Sequence, residues 1–257
     1  MRHRRNLLKR RRQSGRGAVI GPMVLAGVSI SSRDSKKLKI LGVRDSKQLN
    51  PKKREELFKQ IENIAKDIIV VKVSACKISY FNSKGINLDK LEAMKIADII
   101  NMLDNVEKIY VDSIEQNCEK FEKMIKQFLP NEKNVKLVVK NYLDEKIPVV
   151  SAASIVAKVE RDKEIEEIKK RVNFDFGVGY AHDKKTRLFI EKIMQTEEKP
   201  PDYLRLHWET VKDIARKLLE DNKKVKRWVF EEVLKKDSWQ RKIKDFFLNK
   251  LSVSKCE

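Results

Sequence analysis

The sequence predicts a mixed α/β domain, on three observations. Short runs rich in β-branched and aliphatic residues, Met23 to Ile30, Ile68 to Val73, Lys108 to Ile114 and Lys136 to Lys140, have the length and composition of strands. Between them lie longer stretches whose apolar residues recur at helical spacing. The 257 residues suffice for one large core, or for a core with a helical appendage. Strands alternating with helices bury both faces of a sheet, which is the α/β solution.

The elements follow in order. Residues 1–14 carry seven Lys or Arg and no acid, the composition of an unstructured or nucleic-acid-binding arm. At Gly15 the texture changes, Gly21-Pro22 punctuates the chain, and Met23 to Ile30 forms the first strand, followed by a polar loop rich in Ser and Lys. Asn50-Pro51 starts a helix, because Asn caps free amides and Pro tolerates the first helical position; Leu57, Phe58, Ile61, Ile64 and Ala65 give it one apolar face. After the strand at 68–73, Leu88, Leu91, Met94 and Leu103 mark a second helix, and Cys118 to Phe128 a third. Beyond Pro148, Val149 to Val172 reads as a long helix whose Ala152, Ala153 and Ala157 let it approach a sheet or a ligand closely. Lys185 to Met194 and Tyr203 to Leu219 are helical, and Val225 to Leu251 adds a packed helix or two.

The formal charge of +20 makes nucleic acid the default partner, since Lys and Arg release counterions condensed on phosphate chains. A composition in which Lys and Glu merely solvate helices is the alternative. No run of eighteen apolar residues exists to cross a bilayer, and only Leu7 and Leu8 separate the first basic clusters, so no export signal is read. Cys76, Cys118 and Cys256 are widely spaced without a CxxC pair, and three histidines complete the soft-ligand inventory. That argues against a zinc site or a disulfide framework and for a cytoplasmic setting.

Asp112 ends the apolar strand Tyr110-Val111-Asp112, and Asp144 lies just past the strand ending near Lys140. Two neighbouring strands can thus present two carboxylates at one sheet edge, an arrangement that suits hard Mg²⁺ or Mn²⁺ and phosphodiester hydrolysis. Each alone can equally be a strand-end aspartate satisfying turn amides. Asp45-Ser46-Lys47 is a phosphate-contacting loop or a solvated turn. Gly15-Arg16-Gly17 offers bare amides beside a guanidinium, suited to a phosphate or ribose.

Five stretches fall in one order: SGRGAVIGPMVLAGV at 14–28, GVRDSKQL at 42–49, YVDS at 110–113, IPVVSAASIVAKVERD at 147–162 and FDFGVGYAHDKKT at 174–186. Together they resemble ribonuclease HII, especially its archaeal branch, over residues 14–215. The resemblance implies a ribonuclease H-like fold, a five-stranded mixed sheet flanked by helices, with a helical C-terminal region. It implies four metal-binding acids, of which Asp112 and Asp144 match two, as catalytic and metal ligands. It also implies substrate contacts from Gly15, Arg16 and Gly17 near the 2′-hydroxyl at an RNA–DNA junction, from Tyr180 stacking on the junction sugar, and from Lys47. The expected enzyme is an endonuclease that hydrolyses with the help of two metal ions, Mg²⁺ or Mn²⁺. It would cut the RNA strand of RNA–DNA hybrids and ribonucleotides embedded in duplex DNA, leaving 3′-hydroxyl and 5′-phosphate ends. A monomer with a sliding clamp as a compatible partner is expected, organised as a basic leader (1–14), a catalytic domain (15–200) and a helical C-terminal region (201–257).

One departure stands out. Where the resemblance leads to Asp-Glu-Ala, this chain has Arg12-Gln13-Ser14, and where it leads to an apolar central strand, Arg4 to Arg11 stand. An arginine at a metal ligand's place repels the cation, so strong hydrolysis is not expected from the chain as written, and an impaired hybrid-binding homologue is the alternative. Codons for Gly-Val-Asp-Glu-Ser (GGC GTA GAC GAA TCA) that lose the G of GAA are read as Arg-Arg-Gln-Ser behind a shifted frame, with a further Arg from the codon before. A frameshift near codon 13 is therefore expected.

Overall fold

The structure, a computed structural model, describes residues 15–31, 33–43, 49–103, 106–113, 115–131 and 135–234. Among them are four strands, β1 (Met23–Ser29), β2 (Asp67–Val73), β3 (Lys108–Asp112) and β4 (Lys136–Lys140). Eight α-helices accompany them: α1 (Ser35–Ile40), α2 (Pro51–Ile64), α3 (Ala75–Ser83), α4 (Leu88–Met102), α5 (Cys118–Lys126), α6 (Pro148–Val172), α7 (Lys184–Thr196) and α8 (Glu209–Glu220). No helix among the described residues is long and apolar enough to cross a membrane.

β1 and β2 pair antiparallel from Met23 opposite Val73 to Ser29 opposite Asp67, and β3 and β4 pair parallel from Lys108 opposite Lys136 to Asp112 opposite Lys140. The mixed pairing matches the expected α/β class. The described strands form two two-stranded sheets, where one five-stranded sheet was expected. Residues 4–11, which stand where the resemblance leads to a central strand, lie outside the described residues.

Two compact units emerge. As far as the described residues go, the first comprises residues 15–16, 22–73 and 85–164, and the second residues 17–21, 74–84 and 165–234. They interleave in sequence.

In the first unit, Ala152, Ile155, Val156 and Val159 of α6 pack with Leu57 and Ile61 of α2 and with Leu38 of α1. Ala152 is fully buried, the close approach that its small side chain permits. Asn50 caps α2 as expected, its side chain accepting from the Lys53 amide at 2.8 Å with Pro51 at the first position. Asn50→Ala should lower stability by about 1 kcal/mol in urea unfolding. Ion pairs from Arg54 to Asp162 (2.6 Å) and Lys72 to Glu160 (2.9 Å) tie α2 and β2 to the polar turns of α6.

In the second unit, Phe176, Phe189, Ile190 and Ile193 pack with Ile214 and Leu218 of α8 and with Trp228 and Val229. Trp228 donates its indole N–H to the Glu197 carbonyl at 2.8 Å.

Three local differences from the sequence reading have physical causes. The polar loop after β1 contains α1, a short helix held by the fully buried Leu38. The helix expected from Tyr203 begins only at Glu209, because residues 203–205 run extended against 19–21: Gly21 donates to the Tyr203 carbonyl at 2.8 Å and Arg205 to the Val19 carbonyl at 3.0 Å. α3 went unassigned, although Ser74 accepts from the Lys77 amide at its start. Of the expected Val225 to Leu251 helices, a π-helical turn at Val229–Val233 is described, and residues from 235 on lie outside the described range.

Candidate active site

The apolar residues Ile109 and Val111 hold β3 against its neighbours, and the strand delivers Asp112 at its carboxyl end. The ladder continues one step further, Ser113 donating to the Lys140 carbonyl at 2.9 Å. Past β4, the Asn141 side chain donates to the Ser113 and Glu115 carbonyls at 2.8 and 3.0 Å, clamping the loop that follows Asp112. Tyr142 then takes a left-handed conformation, φ 62°, which turns the chain so that the Leu143 amide donates to the Asp112 carboxylate at 2.8 Å. The next residue is Asp144, 6% exposed in a 3₁₀ turn, whose carbonyl accepts from the Ser151 hydroxyl. Asp112 and Asp144 both line one cavity of about 850 Å³. The two candidate residues found in the sequence thus line the same cavity. Among the described residues no group of three or more His, Cys, Asp or Glu forms a metal-binding cluster.

Gly15 precedes these elements at φ +86°, where a Cβ would meet the Pro22 carbonyl at 2.6 Å and the Arg161 Nε at 2.8 Å. Only glycine fits this turn without displacing backbone. The next residue, Arg16, is gripped by acids. Its guanidinium bonds Glu92 at 2.7 Å, contacts Asp89, and lies 3.8 Å from Glu115.

Glu92 is fully buried on α4. Burial pushes its carboxyl up to about 8; Arg16 pulls it down, while the Asp89 and Glu115 charges push with burial. Burial pulls the Arg16 guanidinium down too, but Glu92 and Asp89 outweigh it and hold Arg16 above the ordinary arginine value. The sequence reading missed these acids. A signal existed, because Glu92 shares a helical stripe with Ile96, Ile99, Ile100 and Leu103, and a lone acid on an apolar stripe is informative.

The second unit contains Gly17 and Tyr180. Ala18 bridges to Tyr180, and the Val19 and Ile20 amides donate to the Gly179 carbonyl at 2.9 and 3.1 Å. Gly17 thus adjoins the half-buried Tyr180, whose ring stacks with His182 at 5.7 Å. Gly177 and Gly179 both have positive φ, and a Cβ on Gly177 would collide with Asp183. Asp183 accepts from the Val178 amide at 2.8 Å while capping α7 through the Lys185 amide at 2.9 Å. Fully buried Thr186 accepts from the Gly179 amide at 3.0 Å and donates to the Phe176 carbonyl at 2.8 Å. Thr186→Val removes both bonds and should destabilise the fold by about 2 kcal/mol, read by urea unfolding. Lys47 lies outside the described residues.

A family profile described as ribonuclease HII matches residues 13–211, well over half of the chain. The chain belongs to the ribonuclease HII family. The ribonuclease HII of Pyrococcus furiosus is 41% identical over 207 residues, covering 80% of this chain and 90% of that protein. Among solved structures, the ribonuclease H2 of Pyrococcus horikoshii OT3 superposes with a TM-score of 0.73 at 36% identity, covering 80% of this chain and 96% of that one. The ribonuclease HII of Archaeoglobus fulgidus, solved in complex with PCNA, gives 0.71 at 36% identity over 81% and 96%. These neighbours share the ribonuclease H-like α/β fold, and by family the chain is a ribonuclease H, a hydrolase acting on RNA–DNA hybrids. Residues 15–17, 112, 144 and 180 all fall inside the ribonuclease HII match, which opens at Gln13 and leaves the basic stretch before it unmatched.

Proposed function

We propose that this ribonuclease HII is an endonuclease for the RNA strand of RNA–DNA hybrids and for ribonucleotides embedded in duplex DNA, with Asp112 and Asp144 as its metal-binding pair. The observation that carries this reading is the one cavity lined by both aspartates, with the Asp112 carboxylate held by the amide that leads into Asp144. Their oxygens are hard anionic donors and fit Mg²⁺ or Mn²⁺. Two carboxylates hold one such cation with water filling its remaining positions, but fall short of a pair of ions. When bound, such a cation would polarise the scissile phosphate and activate the attacking water, leaving 3′-hydroxyl and 5′-phosphate ends.

The residues of the chain supply position. The Leu143 amide fixes the Asp112 carboxylate, and Ser151 holds the turn that carries Asp144. Gly15, Arg16 and Gly17 approach the ribose at the junction, and Tyr180 stacks on its sugar, using the 2′-hydroxyl as the mark of RNA. Lys47 and the net charge of +20 supply affinity for the phosphates. A sliding clamp is a fitting partner, by analogy with the Archaeoglobus complex, and the cytoplasm a fitting location.

A second reading is favoured by Arg12 and Gln13. The chain as written binds hybrids but hydrolyses them weakly, its first 14 residues being the product of a shifted reading frame. Purified chain with a labelled hybrid and Mg²⁺ or Mn²⁺ separates the two. Binding with cleavage close to background supports impairment, brisk cleavage at junctions overturns it, and absence of hybrid binding overturns both. Resequencing the 5′ end of the gene tests the frameshift, and an intact frame through Arg12-Gln13 in independent clones refutes it.

A further inference from the structure

The turn that presents Tyr180 carries a second ring. The Asp183 amide donates to the Tyr180 carbonyl at 3.1 Å, closing Tyr180-Ala181-His182-Asp183 into a turn. Within it the His182 imidazole lies beside the Tyr180 phenol, ring centres 5.7 Å apart and planes 27° from parallel. His182 is exposed where Tyr180 is half-buried, so the imidazole is the more open member of the pair. The backbone under the turn is held from both sides, the Gly179 amide by Thr186 and the Gly179 carbonyl by the Val19 and Ile20 amides.

The charges around His182 favour an anion. Asp183, the acid next in sequence, has its carboxylate committed to the Val178 and Lys185 amides at 2.8 and 2.9 Å. From α7 come Lys184, Lys185 and Arg187; Lys185 pairs with Asp175 at 2.6 Å, and Arg187 turns to the Ala181 carbonyl at 3.5 Å. The segment Gly17–Gly21, bridged to the turn through Ala18 and Tyr180, carries no titratable side chain. These three cations outnumber Asp175 and Asp183, and the amino end of α7 adds partial positive charge, so the surface attracts phosphate. A protonated imidazole adds to that attraction, and pH can remove its share.

We propose that His182 is a second recognition residue at the junction: as imidazolium it binds a backbone phosphate that flanks the ribose on which Tyr180 stacks. This rests on Tyr180 being the residue that stacks there. An internal ribose carries a phosphate on each side, so a cation one ring away from the stacking tyrosine is placed for one of them. The contact makes affinity depend on pH, because imidazole is the side chain that ordinarily changes charge between about pH 5 and 8. Phosphate binding raises the pKa of the imidazole in the complex. The added affinity is therefore complete below the free value and is lost as pH rises through the bound one. An exposed ion pair of this kind changes Kd by about threefold to fivefold. A ring that merely props Tyr180 gives no such pH dependence.

The test is fluorescence anisotropy of the full chain on a labelled duplex holding one ribonucleotide, without divalent metal so that cleavage does not intervene, at pH 5.5 and 7.5. The parent should bind about threefold to fivefold tighter at the lower pH. His182→Gln and His182→Phe should each lose that gain and leave binding at pH 7.5 unchanged. Phenylalanine keeps a ring against Tyr180 without a proton, so a packing role would survive it. Glu92 keeps its proton over most of this window and is present in all three proteins, so its share cancels. In the parent, a methylphosphonate in place of one of the two phosphates flanking the ribonucleotide should abolish the gain, whereas one placed further away should not. A gain that persists in either His182 variant, or that neither flanking methylphosphonate removes, overturns the proposal. So does a parent that shows no gain or no binding. Tyr180→Ala reports separately, since it should erase the preference for this duplex over an all-DNA one. If that preference survives while His182 behaves as expected, the phosphate contact stands and the stacking role of Tyr180 falls.

Discussion

Replacing residues 4–11 by an uncharged apolar strand, together with Arg12→Asp and Gln13→Glu, should raise single-turnover cleavage of a labelled hybrid at least ~10³-fold over the chain as written. The magnitude follows from charge. At an effective dielectric of about 20, a unit charge ~4 Å from a cation interacts by about 4 kcal/mol per cation charge, so exchanging a guanidinium for a carboxylate moves metal affinity by several kcal/mol. Each 1.4 kcal/mol that survives into the transition state is about tenfold in rate. The strand is restored together with the acids, because a strand-end acid is aimed by the backbone that carries it, as Asp112 is by β3. Arg12→Asp and Gln13→Glu alone, behind the arginine-rich stretch, should therefore recover little. In the rebuilt chain Asp112→Asn should return cleavage to near background while hybrid binding persists. A rebuilt protein that is folded by circular dichroism yet inert with both metals would refute the assignment.

Much of this architecture was legible in the residues, for reasons that vary by element. β2, β4 and α6 could be read because their apolar residues are dense and their ends are marked by charge or proline. α2 announced its first turn through Asn50-Pro51, a signal that needs no tertiary context. α1 and the extended segment at 203–205 could not be read this way. The first is held by one buried leucine among lysines, and the second by bonds to residues about 185 positions earlier. Local periodicity carries no information about such partners. At the site, Asp112 and Asp144 were visible as strand-end acids, whereas the grip on Arg16 was hidden. It joins the Gly15 turn to an acid on the inner face of α4, and only the folded chain brings residues 16 and 92 together. The clamp of Asp183 and Thr186 on the Gly177 to Tyr180 turn was concealed in the same way inside a motif that reads as a string of polar residues.

That grip on Arg16 gives the largest expected effect on stability, and it depends on pH. Arg16→Met leaves Glu92 buried with Asp89 and Glu115 beside it and no guanidinium, so its carboxyl, already raised to about 8 with Arg16 present, must rise further. A carboxyl raised in the folded state favours folding most when protonated. Its contribution is complete below the unfolded value near 4.5 and is lost as pH climbs through the folded value. The variant should therefore stand within about 1 kcal/mol of the parent near pH 5, where Glu92 is neutral in both. Above pH 8 the parent's Glu92 is charged and paired while the variant's is still protonated and goes on losing about 1.4 kcal/mol per pH unit, so by pH 10 the gap should widen by about 3 kcal/mol. Urea unfolding at the two pH values measures it directly. Glu92→Gln placed on top of Arg16→Met should flatten the pH dependence, since an amide has no proton to lose. Parallel stability curves for the parent and Arg16→Met across this range would show that Glu92 is not the titrating group. The same pair bears on substrate recognition, because an arginine whose two faces are committed to Glu92 and Asp89 is held rigidly beside Gly15. Arg16→Lys preserves the charge but loses that forked grip, so it should retain most of the stability at pH 8.5 and still weaken discrimination between a ribonucleotide junction and plain DNA.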